Sequence, residues 1–305
     1  MQALDYHPDQ VARSLRIRET HTIGLVVPDI TAPFFSDVIR GVTRESRAKG
    51  YSLILCDSNE DPGLEQANLD TLFARRVDGV LMAPVADFTA QDPITRRRFP
   101  VVLFDRVPRE FSGSAVIQGN FAGAYDATRH LISLGHERIS IITGPLTLPN
   151  VLERLEGFRQ ALQEAALTLR DEYLCRGDFE FQVECGARHG QELMRLPVPP
   201  TAILSCSAKT TLGLMHALHE LHIPCPEFVS VIGFDDSDWA ANFSPPLTTV
   251  AQPALQTAKE LVEMLLGKIK SLKHGTDVEE AKVITLKPAL CVRESTAPPH
   301  SVSTR

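Results

Sequence analysis

Short apolar runs alternate with longer segments of helical periodicity from about residue 22 onward. The first runs predict strands at Ile23–Val27, Tyr51–Leu55, Gly79–Met82 and Val101–Phe104. Within Phe35–Val42, apolar residues recur at positions i, i+3, i+4 and i+7, which places them on one face of a helix. This β-α-β-α order predicts a parallel sheet covered by helices on both faces.

The same alternation starts again near residue 136. Further strands are predicted at His136–Thr143, Thr201–Ser205, Phe228–Gly233, Ala281–Leu286 and Leu290–Arg293. Helical patterns lie near 150–165, at 208–222 and around Ala258–Leu265. Two successive α/β series imply two lobes with a cleft between them.

Two segments, 119–121 and Ser244–Thr249, have the character of crossovers between lobes. The polar segment Thr296–Arg305 is rich in Pro and Ser and is predicted to be a disordered tail.

Composition narrows the class of protein. The 305 residues are 43% hydrophobic, which is enough for a large core, and their net charge of −7 disfavours nucleic-acid binding by the body of the protein. The six cysteines form no CxxC pair, and neither a signal peptide nor an apolar run of membrane-spanning length is visible. These features predict a cytoplasmic protein with free thiols and no membrane association.

The N-terminal segment is basic where the rest of the chain is acidic. Pro8–Arg16 starts with a residue suited to the first turn of a helix and presents Leu15 on its apolar face, with Arg13 and Arg16 close by. Such a short helix needs a docking partner, and DNA could supply one through phosphate contacts and a leucine wedged between base steps. Taken alone, the segment fits an N-terminal tail better. The run Arg96–Arg98 fits a solvated helix end.

Catalytic and metal-binding signatures are absent from the sequence. It contains no GxGxxG after a strand and no GxxxxGK[ST], HExxH or GxSxG motif, so no enzyme, cofactor or metal is predicted. His216, His219 and His222 recur every three residues, but the outer two would lie roughly 120° and 9 Å apart on a helix. We therefore expect them to be surface and packing residues.

Polar and aromatic side chains collect at the predicted ends of strands, where open α/β sheets bind ligands. These groups are Phe34 and Phe35 after Pro28–Thr31, Phe104–Arg106, Phe234–Asp236 and, near a helix start, Arg154. Together they could hold the hydroxyls of a small polyol. Individually, an aspartate after a strand is more typical of a helix cap, and either phenylalanine could belong to the core.

Sequence motifs along nearly the whole chain resemble one family. They are Y-x-P-x-x-x-A-R-S-L-R from Tyr6, T-x-x-I-G-L-V-V-P-D-I-T-x-P-F-F from Thr20, F-D-R at 104–106, A-T-x-H-L-I-x-L-G-H at 127–136, R-L-x-G-F-R at 154–159, S-V-I-G-F-D-D at 230–236, P-P-L-T-T-V-x-Q-P at 245–253 and V-R-E-S-T-A-P-P at 292–299. This pattern is similar to that of the lactose-repressor (LacI/GalR) family of transcriptional regulators.

The resemblance implies an α/β fold like that of type I periplasmic binding proteins, with two Rossmann-like lobes whose parallel sheets are joined by three crossovers. It implies four parts: 1–20 as the headpiece end and hinge helix, 21–118 plus 250–279 as the N-terminal lobe, 119–249 plus 280–295 as the C-terminal lobe, and 296–305 as the tail. It also implies a homodimer, formed largely through the helix at 33–49 and its neighbours. In such a dimer a small effector controls binding to operator DNA through the hinge.

The same resemblance assigns site residues. The firmest effector contacts are Arg154 and Asp235, and the others are Phe34, Phe35, Asp105, Phe179, Ser207 and Gln252. For DNA it implies a wedge at Leu15 and phosphate contacts at Arg13 and Arg16.

The sequence departs from the family pattern at two places in the pocket. Gly119-Asn120 stands where the family usually has Asp-Asn, and Ser207-Ala208 stands where it usually has Asn-Asp. Both changes remove hydrogen-bonding groups, which indicates an effector other than a hexose bound in the usual way, or a degenerated pocket.

At the N-terminus, Met1 falls where the last helix of the DNA-reading headpiece should end. We therefore expect weak DNA binding with little sequence specificity. The alternative functions are a solute-binding protein of a sugar transporter, which shares this fold, and an α/β enzyme.

Overall fold

The computed structural model describes residues 19–85, 99–108, 111–177, 182–274 and 281–300. The predicted DNA contacts Arg13, Leu15 and Arg16, the run Arg96–Arg98 and the predicted effector contact Phe179 lie outside these residues.

The elements follow one another in the predicted α/β order. The strands are β1 Thr22–Val27, β2 Ser52–Asp57, β3 Gly79–Met82, β4 Val101–Phe104, β5 Ser114–Gln118, β6 Ile139–Thr143, β7 Leu174–Arg176, β8 Ala202–Ser205, β9 Ser230–Phe234, β10 Thr248–Ala251, β11 Val283–Leu286 and β12 Ala289–Cys291. The helices are α1 Pro33–Ala48, α2 Pro62–Ala74, α3 Asn120–Ser133, α4 Pro149–Glu164, α5 Gln182–Met194, α6 Ala208–Glu220, α7 Asp238–Ala241 and α8 Ala254–His274, with a 3₁₀ turn at Asp171–Tyr173.

These elements form two sheets with the same topology. The first has the strand order β11-β5-β4-β3-β1-β2, and the second has the order β12-β10-β9-β8-β6-β7. The pairs β1/β2, β1/β3, β3/β4 and β4/β5 are parallel, as are their counterparts β6/β7, β6/β8, β8/β9 and β9/β10. The edge strand β12 pairs with β10 in the antiparallel direction. The predicted fold class is confirmed.

The backbone packs into two compact units. Among the described residues, the first unit comprises 19–30, 39–116 and 258–283, and the second comprises 31–38, 117–257 and 284–300. The chain therefore passes from one unit to the other after residues 30, 38, 116, 257 and 283. The prediction of a crossover at Ser244–Thr249 was wrong, because this segment lies inside the second unit, where Thr248 begins the buried strand β10.

The second unit shows why its strands read as unbroken apolar runs. Ile141 belongs to a core cluster with Leu155 and Phe158 of α4, whereas the next residue, Ile142, belongs to another cluster with Leu214 of α6. Neighbouring residues of a strand point to opposite faces, so a sheet covered on both faces needs apolar side chains at every position.

Part of the segment predicted to be a disordered tail packs on the second unit. The backbone N–H of Ala297 donates to Ser230 Oγ at 3.0 Å, and the carbonyl oxygen of Ala297 lies 2.9 Å from His136 Nε2. Thr296 Oγ1 lies 3.0 Å from His130 Nε2. The prediction was therefore wrong for residues 296 and 297, because composition does not show that the buried His136 and the half-buried His130 have their hydrogen-bond partners in this segment. Among the described residues, no helix is both long and apolar enough to span a bilayer.

Candidate functional site

Corresponding strands of the two sheets end in the same unusual backbone geometry. Asp105 follows β4 with φ of 61°, and Asp235 follows β9 with φ of 68°. The backbone N–H of Asp105 donates to Val116 O at 3.2 Å, and that of Asp235 donates to Val250 O at 3.0 Å. A left-handed conformation costs a non-glycine residue roughly 1–2 kcal/mol, and such strain is concentrated at functional sites. The two aspartates therefore occupy equivalent places at the carboxyl ends of the two sheets, which is where open α/β sheets generally bind ligands.

Arg154 is held in one orientation by three elements of the second unit. Its side chain is buried on α4, with Nε donating to Asn120 Oδ1 at 2.9 Å and Nη1 donating to Cys206 O at 2.7 Å. The guanidinium carbon lies 4.1 Å from the centre of the Phe234 ring, a cation–π distance. Both hydrogen-bond partners are neutral, and Nη2 has no hydrogen bond to any described residue. The fixed guanidinium therefore keeps donors available for a ligand.

Asn120 is a partner of Arg154 that was not among the residues predicted from the sequence. It begins α3, is 2% exposed, and accepts the hydrogen bond from Arg154 while its Nδ2 lies 3.2 Å from Gln118 O and 3.3 Å from Glu153 Oε2. In the sequence, Gly119-Asn120 is conspicuous only as a departure from the family pattern. The asparagine of this pair agrees with the family pattern, and that agreement could have indicated its importance. Asn120 positions Arg154, and the bonds of its Nδ2 to Gln118 O and Glu153 Oε2 hold the amide in place.

Asp235 is joined to Gln252, another predicted effector residue. Gln252 Nε2 donates to Asp235 Oδ1 at 2.5 Å. The amide oxygen of Gln252 is buried and has no hydrogen-bond partner among the described residues. An unsatisfied buried acceptor is rare, and a ligand hydroxyl could satisfy it. The structure thus places two of the predicted contacts, Asp235 and Gln252, side by side.

Asp236 fixes the turn that follows Asp235. Arg293 Nη1 and Nη2 donate to its two carboxylate oxygens at 2.7 and 2.9 Å, and Thr249 Oγ1 donates to Oδ1 at 2.7 Å. Partial burial by itself would raise the pKa of Asp236. The hydrogen bonds from Arg293 and Thr249 and the charge of Arg293 outweigh that effect and lower this pKa below its usual value.

Ser207 has a structural task in this unit. It is the N-cap of α6, where its Oγ accepts from the backbone N–H of Thr210 at 3.2 Å. The same oxygen lies 2.9 Å from Thr210 Oγ1 and donates to Gln182 Oε1 at 3.4 Å. These contacts use the capacity of the hydroxyl, so its predicted contact with an effector would have to compete with the cap.

The remaining predicted residues form separate small groups. Arg106 is clamped by Glu60, with Nη1 and Nη2 each 2.7 Å from a carboxylate oxygen, and its Nε lies 3.6 Å from Asp105 Oδ2. Asp105 is buried beside this pair. Phe34 and Phe35, both buried at the start of α1, meet edge to face with ring centroids 5.3 Å apart. Their predicted contacts with an effector stay predictions.

Metal-binding chemistry finds no support in the described ranges, which hold no cluster of three or more His, Cys, Asp or Glu residues arranged for an ion. His216, one of the regularly spaced histidines, is a surface residue whose Nε2 lies 3.3 Å from Glu220 Oε1.

Comparison with known proteins identifies the family of this chain. Residues 128–296 match the model of the periplasmic binding protein-like domain. The chain is 35% identical over 268 residues to the ribose operon repressor of Escherichia coli K12, covering 87% of this chain and 81% of that protein. It is also 35% identical over 297 residues to the repressor PurR of Actinobacillus pleuropneumoniae, covering 97% and 87% of the two chains. The chain belongs to the LacI family of transcriptional regulators.

Solved structures of the LacI family share the fold. A LacI family transcriptional regulator from Enterococcus faecium with bound ribose matches with a TM-score of 0.80 and 30% identity, over 92% of this chain and 100% of that one. A sugar-binding LacI family regulator from Escherichia coli complexed with phosphate matches with a TM-score of 0.75 and 27% identity, over the same shares of the two chains. The chain is therefore a ligand-responsive regulator of the LacI type, and the relatives favour this assignment over a transporter's solute-binding protein.

The pair Asp236–Arg293 predicts how the stability of the second unit depends on pH. Because folding lowers the pKa of Asp236, the pair stabilises the fold fully above the ordinary carboxyl pKa of about 4, and this stabilisation is lost as the pH falls through the lowered value. We expect Asp236→Asn to reduce the free energy of unfolding by about 1 kcal/mol at pH 7 and to flatten its decline below pH 4.

The measurement is urea unfolding from pH 7 to pH 2. Asp238→Asn, which changes an exposed aspartate two residues away, is the matched control and should follow the wild-type curve. An acid decline in Asp236→Asn as steep as that of the wild type would contradict the assignment.

Proposed function

We propose that the effector is a small neutral polyol, D-ribose or a pentose close to it, bound at the carboxyl end of the second sheet. The observation that supports this most strongly is the pairing of a fixed donor with fixed acceptors in one unit. Arg154 offers donors on a guanidinium already held in place, and Asp235 with Gln252 offers acceptors. Vicinal hydroxyls, which both donate and accept, match such a set.

The departures from the family pattern favour a smaller ligand than a hexose. Gly119 supplies no carboxylate, and the Ser207 hydroxyl already caps α6. A sugar hydroxyl that lay next to either position would find no hydrogen-bond partner there. The loss of that hydrogen bond would weaken the binding of a larger sugar. The names of the relatives agree, since one is a ribose operon repressor and one solved structure contains ribose.

Ligand-induced stabilisation tests this proposal. We expect D-ribose at about 100 times its dissociation constant to stabilise the protein by about 2.7 kcal/mol, seen as a rise in Tm. Asp235→Asn keeps the size of the side chain but removes the charge, and should weaken ribose binding about 10- to 100-fold in isothermal titration. Arg154→Lys should weaken it similarly, because an ammonium cannot reproduce the planar guanidinium fork.

Arg159→Lys changes an exposed arginine of the same helix and is the matched control. Glucose, hypoxanthine and inorganic phosphate complete the ligand panel. Binding of ribose that is unchanged in Asp235→Asn and Arg154→Lys, or binding of only another member of the panel, would refute the proposed effector.

We also propose that Pro8–Arg16 is the hinge through which the effector controls DNA binding. The contacts that residues 19 and 20 make with the first unit support this role. The backbone N–H of Thr20 donates to Asp78 Oδ1 at 3.0 Å, Thr20 Oγ1 lies 3.2 Å from the same oxygen, and Lys273 Nζ lies 3.0 Å from Glu19 Oε1. The residues that follow the hinge are thus tied to the core, so a change in the first unit can reach the hinge.

Salt titration separates the two kinds of hinge residue. With an arbitrary DNA duplex, Arg13→Gln and Arg16→Gln should each lower the slope of log K against log salt by about 0.9, because each loses a phosphate contact. Leu15→Ala should weaken binding with the slope unchanged, since a wedge releases no counterions. Fluorescence anisotropy measures both the DNA affinity and its dependence on salt, with Arg159→Gln as the control. Slopes unaffected by Arg13→Gln and Arg16→Gln would contradict the assignment.

We propose that the regulator is a homodimer joined through the first unit, at α1 and its neighbours. The edge strand β2 supports this. Its apolar residues Leu53, Ile54 and Leu55 face both sides of the sheet, yet none is fully buried and Leu55 is 42% exposed. An apolar edge strand left uncovered is prone to unwanted pairing, and a second copy of the chain would cover it.

Sedimentation equilibrium tests the dimer. Leu55→Lys should raise the dimer dissociation constant at least tenfold, because it places a charge on the covered strand. Val198→Lys changes a valine of nearly equal exposure, 41%, in the second unit and should leave the dissociation constant unchanged. A monomeric wild type, or a dimer insensitive to Leu55→Lys, would rule out this interface.

A further inference from the structure

Exposed cations collect at the end of the first unit where the proposed hinge joins it. Thr20 Oγ1 lies 3.0 Å from the carbonyl oxygen of Arg76, and Lys273 Nζ lies 3.0 Å from Glu19 Oε1. Arg76 comes just after the end of α2, and Lys273 belongs to the last turn of α8. The C-terminal ends of both helices therefore lie beside the start of β1, at the amino edge of the first sheet.

The end of α1 lies at the same edge of the sheet. The backbone N–H of Ser52 donates to the carbonyl oxygen of His21 at 2.8 Å, which brings the turn after α1 next to the residue that precedes β1. We call the exposed cations of these three helix ends the hinge-end face. It comprises Arg47, Lys49, Arg75, Arg76, Lys270 and Lys273.

The hinge-end face is positive although the chain as a whole has a net charge of −7. Within the described part of the chain, Lys273 is the one residue of the face that forms a salt bridge. Two carboxylates at the same edge are already engaged. Glu19 is bound to Lys273, and Asp78 accepts from the backbone N–H of Thr20 at 3.0 Å and has its other oxygen buried. The other charges of the face therefore stay available to a polyanion.

The turn that ends α2 gives no structural reason for an arginine at position 76. Arg76 has φ of 53° and donates its backbone N–H to Phe73 O at 3.0 Å, while the N–H of Val77 donates to Leu72 O at 3.3 Å. These bonds form a Schellman motif, whose left-handed residue is usually glycine. The corresponding residue after α1 is Gly50, with φ of 79°. A glycine at 76 would remove the steric strain, so the arginine indicates a role for its side chain outside the helix end.

The length of the chain keeps the proposed hinge close to this face. Four residues lead from Arg16 to Thr20, and they can span at most about 14 Å. DNA whose phosphate is bound by Arg16 must therefore pass near the end of the first unit. At physiological salt, charges within about 8 Å of each other are little screened. Because the hinge already holds the duplex there, further phosphate contacts form within the same complex, and even weak ones add to the affinity.

We propose that the hinge-end face is a second DNA contact, in which Arg75, Arg76 and Lys270 bind backbone phosphates that flank the site of the hinge. This inference rests on the proposed role of Pro8–Arg16 as the hinge. Duplex DNA fits the face in charge, and the chain that leads to the hinge starts beside it. Phosphate contacts carry no sequence information, so the face adds affinity and fixes the orientation of the protein on the duplex. The acidic remainder of the chain is repelled by DNA and favours the same orientation.

Salt titration of DNA binding by the full chain tests this proposal. With an arbitrary duplex, the double variant Arg75→Gln/Arg76→Gln should lower the slope of log K against log salt by about 1.8, because each lost phosphate contact lowers it by about 0.9. Lys270→Gln should lower it by about 0.9. The matched control is Arg195→Gln. Arg195 is an exposed arginine at the end of α5, the helix that corresponds to α2 in the second unit, and its loss should leave the slope unchanged.

The variant Arg76→Gly separates a DNA contact from a structural role. Relief of the left-handed strain should raise the Tm, whereas loss of the guanidinium should lower the salt slope by about 0.9. A variant that is more stable than the wild type is folded, so its weaker DNA binding would not result from unfolding. Binding by Arg76→Gly with the wild-type slope would contradict the proposal.

The hinge variants distinguish the failure of this proposal from the failure of the hinge itself. If Arg13→Gln and Arg16→Gln lower the slope while Arg75→Gln/Arg76→Gln does not, the hinge assignment stands and the hinge-end face is refuted. If only the double variant lowers the slope, the face is supported and the hinge assignment is wrong. If none of them lowers the slope, both are refuted.

The other candidate occupant of the face is the acidic segment that follows α8 in the sequence. It contains Asp277, Glu279 and Glu280 and lies outside the described residues. If this segment neutralised the face, neutral residues at its three acidic positions would steepen the salt slope, and Arg75→Gln/Arg76→Gln in the otherwise unchanged chain would keep the wild-type slope. That pair of results would overturn the proposal.

Discussion

The geometry of the candidate site depends on one buried cation held by neutral groups. Arg154 brings together the start of α3, the residue after β8 and the last residue of β9, through Asn120, Cys206 and Phe234. A buried guanidinium without partners would be costly, so Asn120 and the Cys206 carbonyl are needed for the fold as well as for the site. Because these partners are neutral, the charge and the remaining donors of Arg154 stay available to a ligand.

The two units have the same strand order and use the same means of presenting a carboxylate. Asp105 and Asp235 both follow a buried phenylalanine and both have left-handed backbone geometry. In each unit the next residue forms a bidentate ion pair, Arg106 with Glu60 and Asp236 with Arg293. The residue after the aspartate is the cation of the pair in the first unit and the anion of the pair in the second. The two units therefore resemble each other more in backbone geometry than in sequence. A strained aspartate followed by an anchored residue is a way to fix a carboxylate at a strand end.

The sequence was sufficient for the fold because buried parallel strands are unbroken apolar runs and the Phe-Asp strand ends are local motifs. It was not sufficient for contacts between residues far apart in the chain. Asn120 and Arg154 are 34 positions apart, and Asp236 and Arg293 are 57 apart, so no local pattern predicts either pair. Ser244–Thr249 was predicted to be a crossover between lobes, yet its end belongs to a core strand. Ser207 was assigned by family position, whereas the hydrogen bonds of α6 make it a cap.

The most direct test of the central claim is nitrogen-15 NMR of the arginine side chains during titration with D-ribose. If Arg154 offers its guanidinium to the effector, its Nε and Nη resonances should shift on binding and its exchange with water should slow. The signals of Arg293, which is already paired with Asp236, should stay in place. Saturable binding of ribose that leaves the Arg154 signals unchanged would contradict the account.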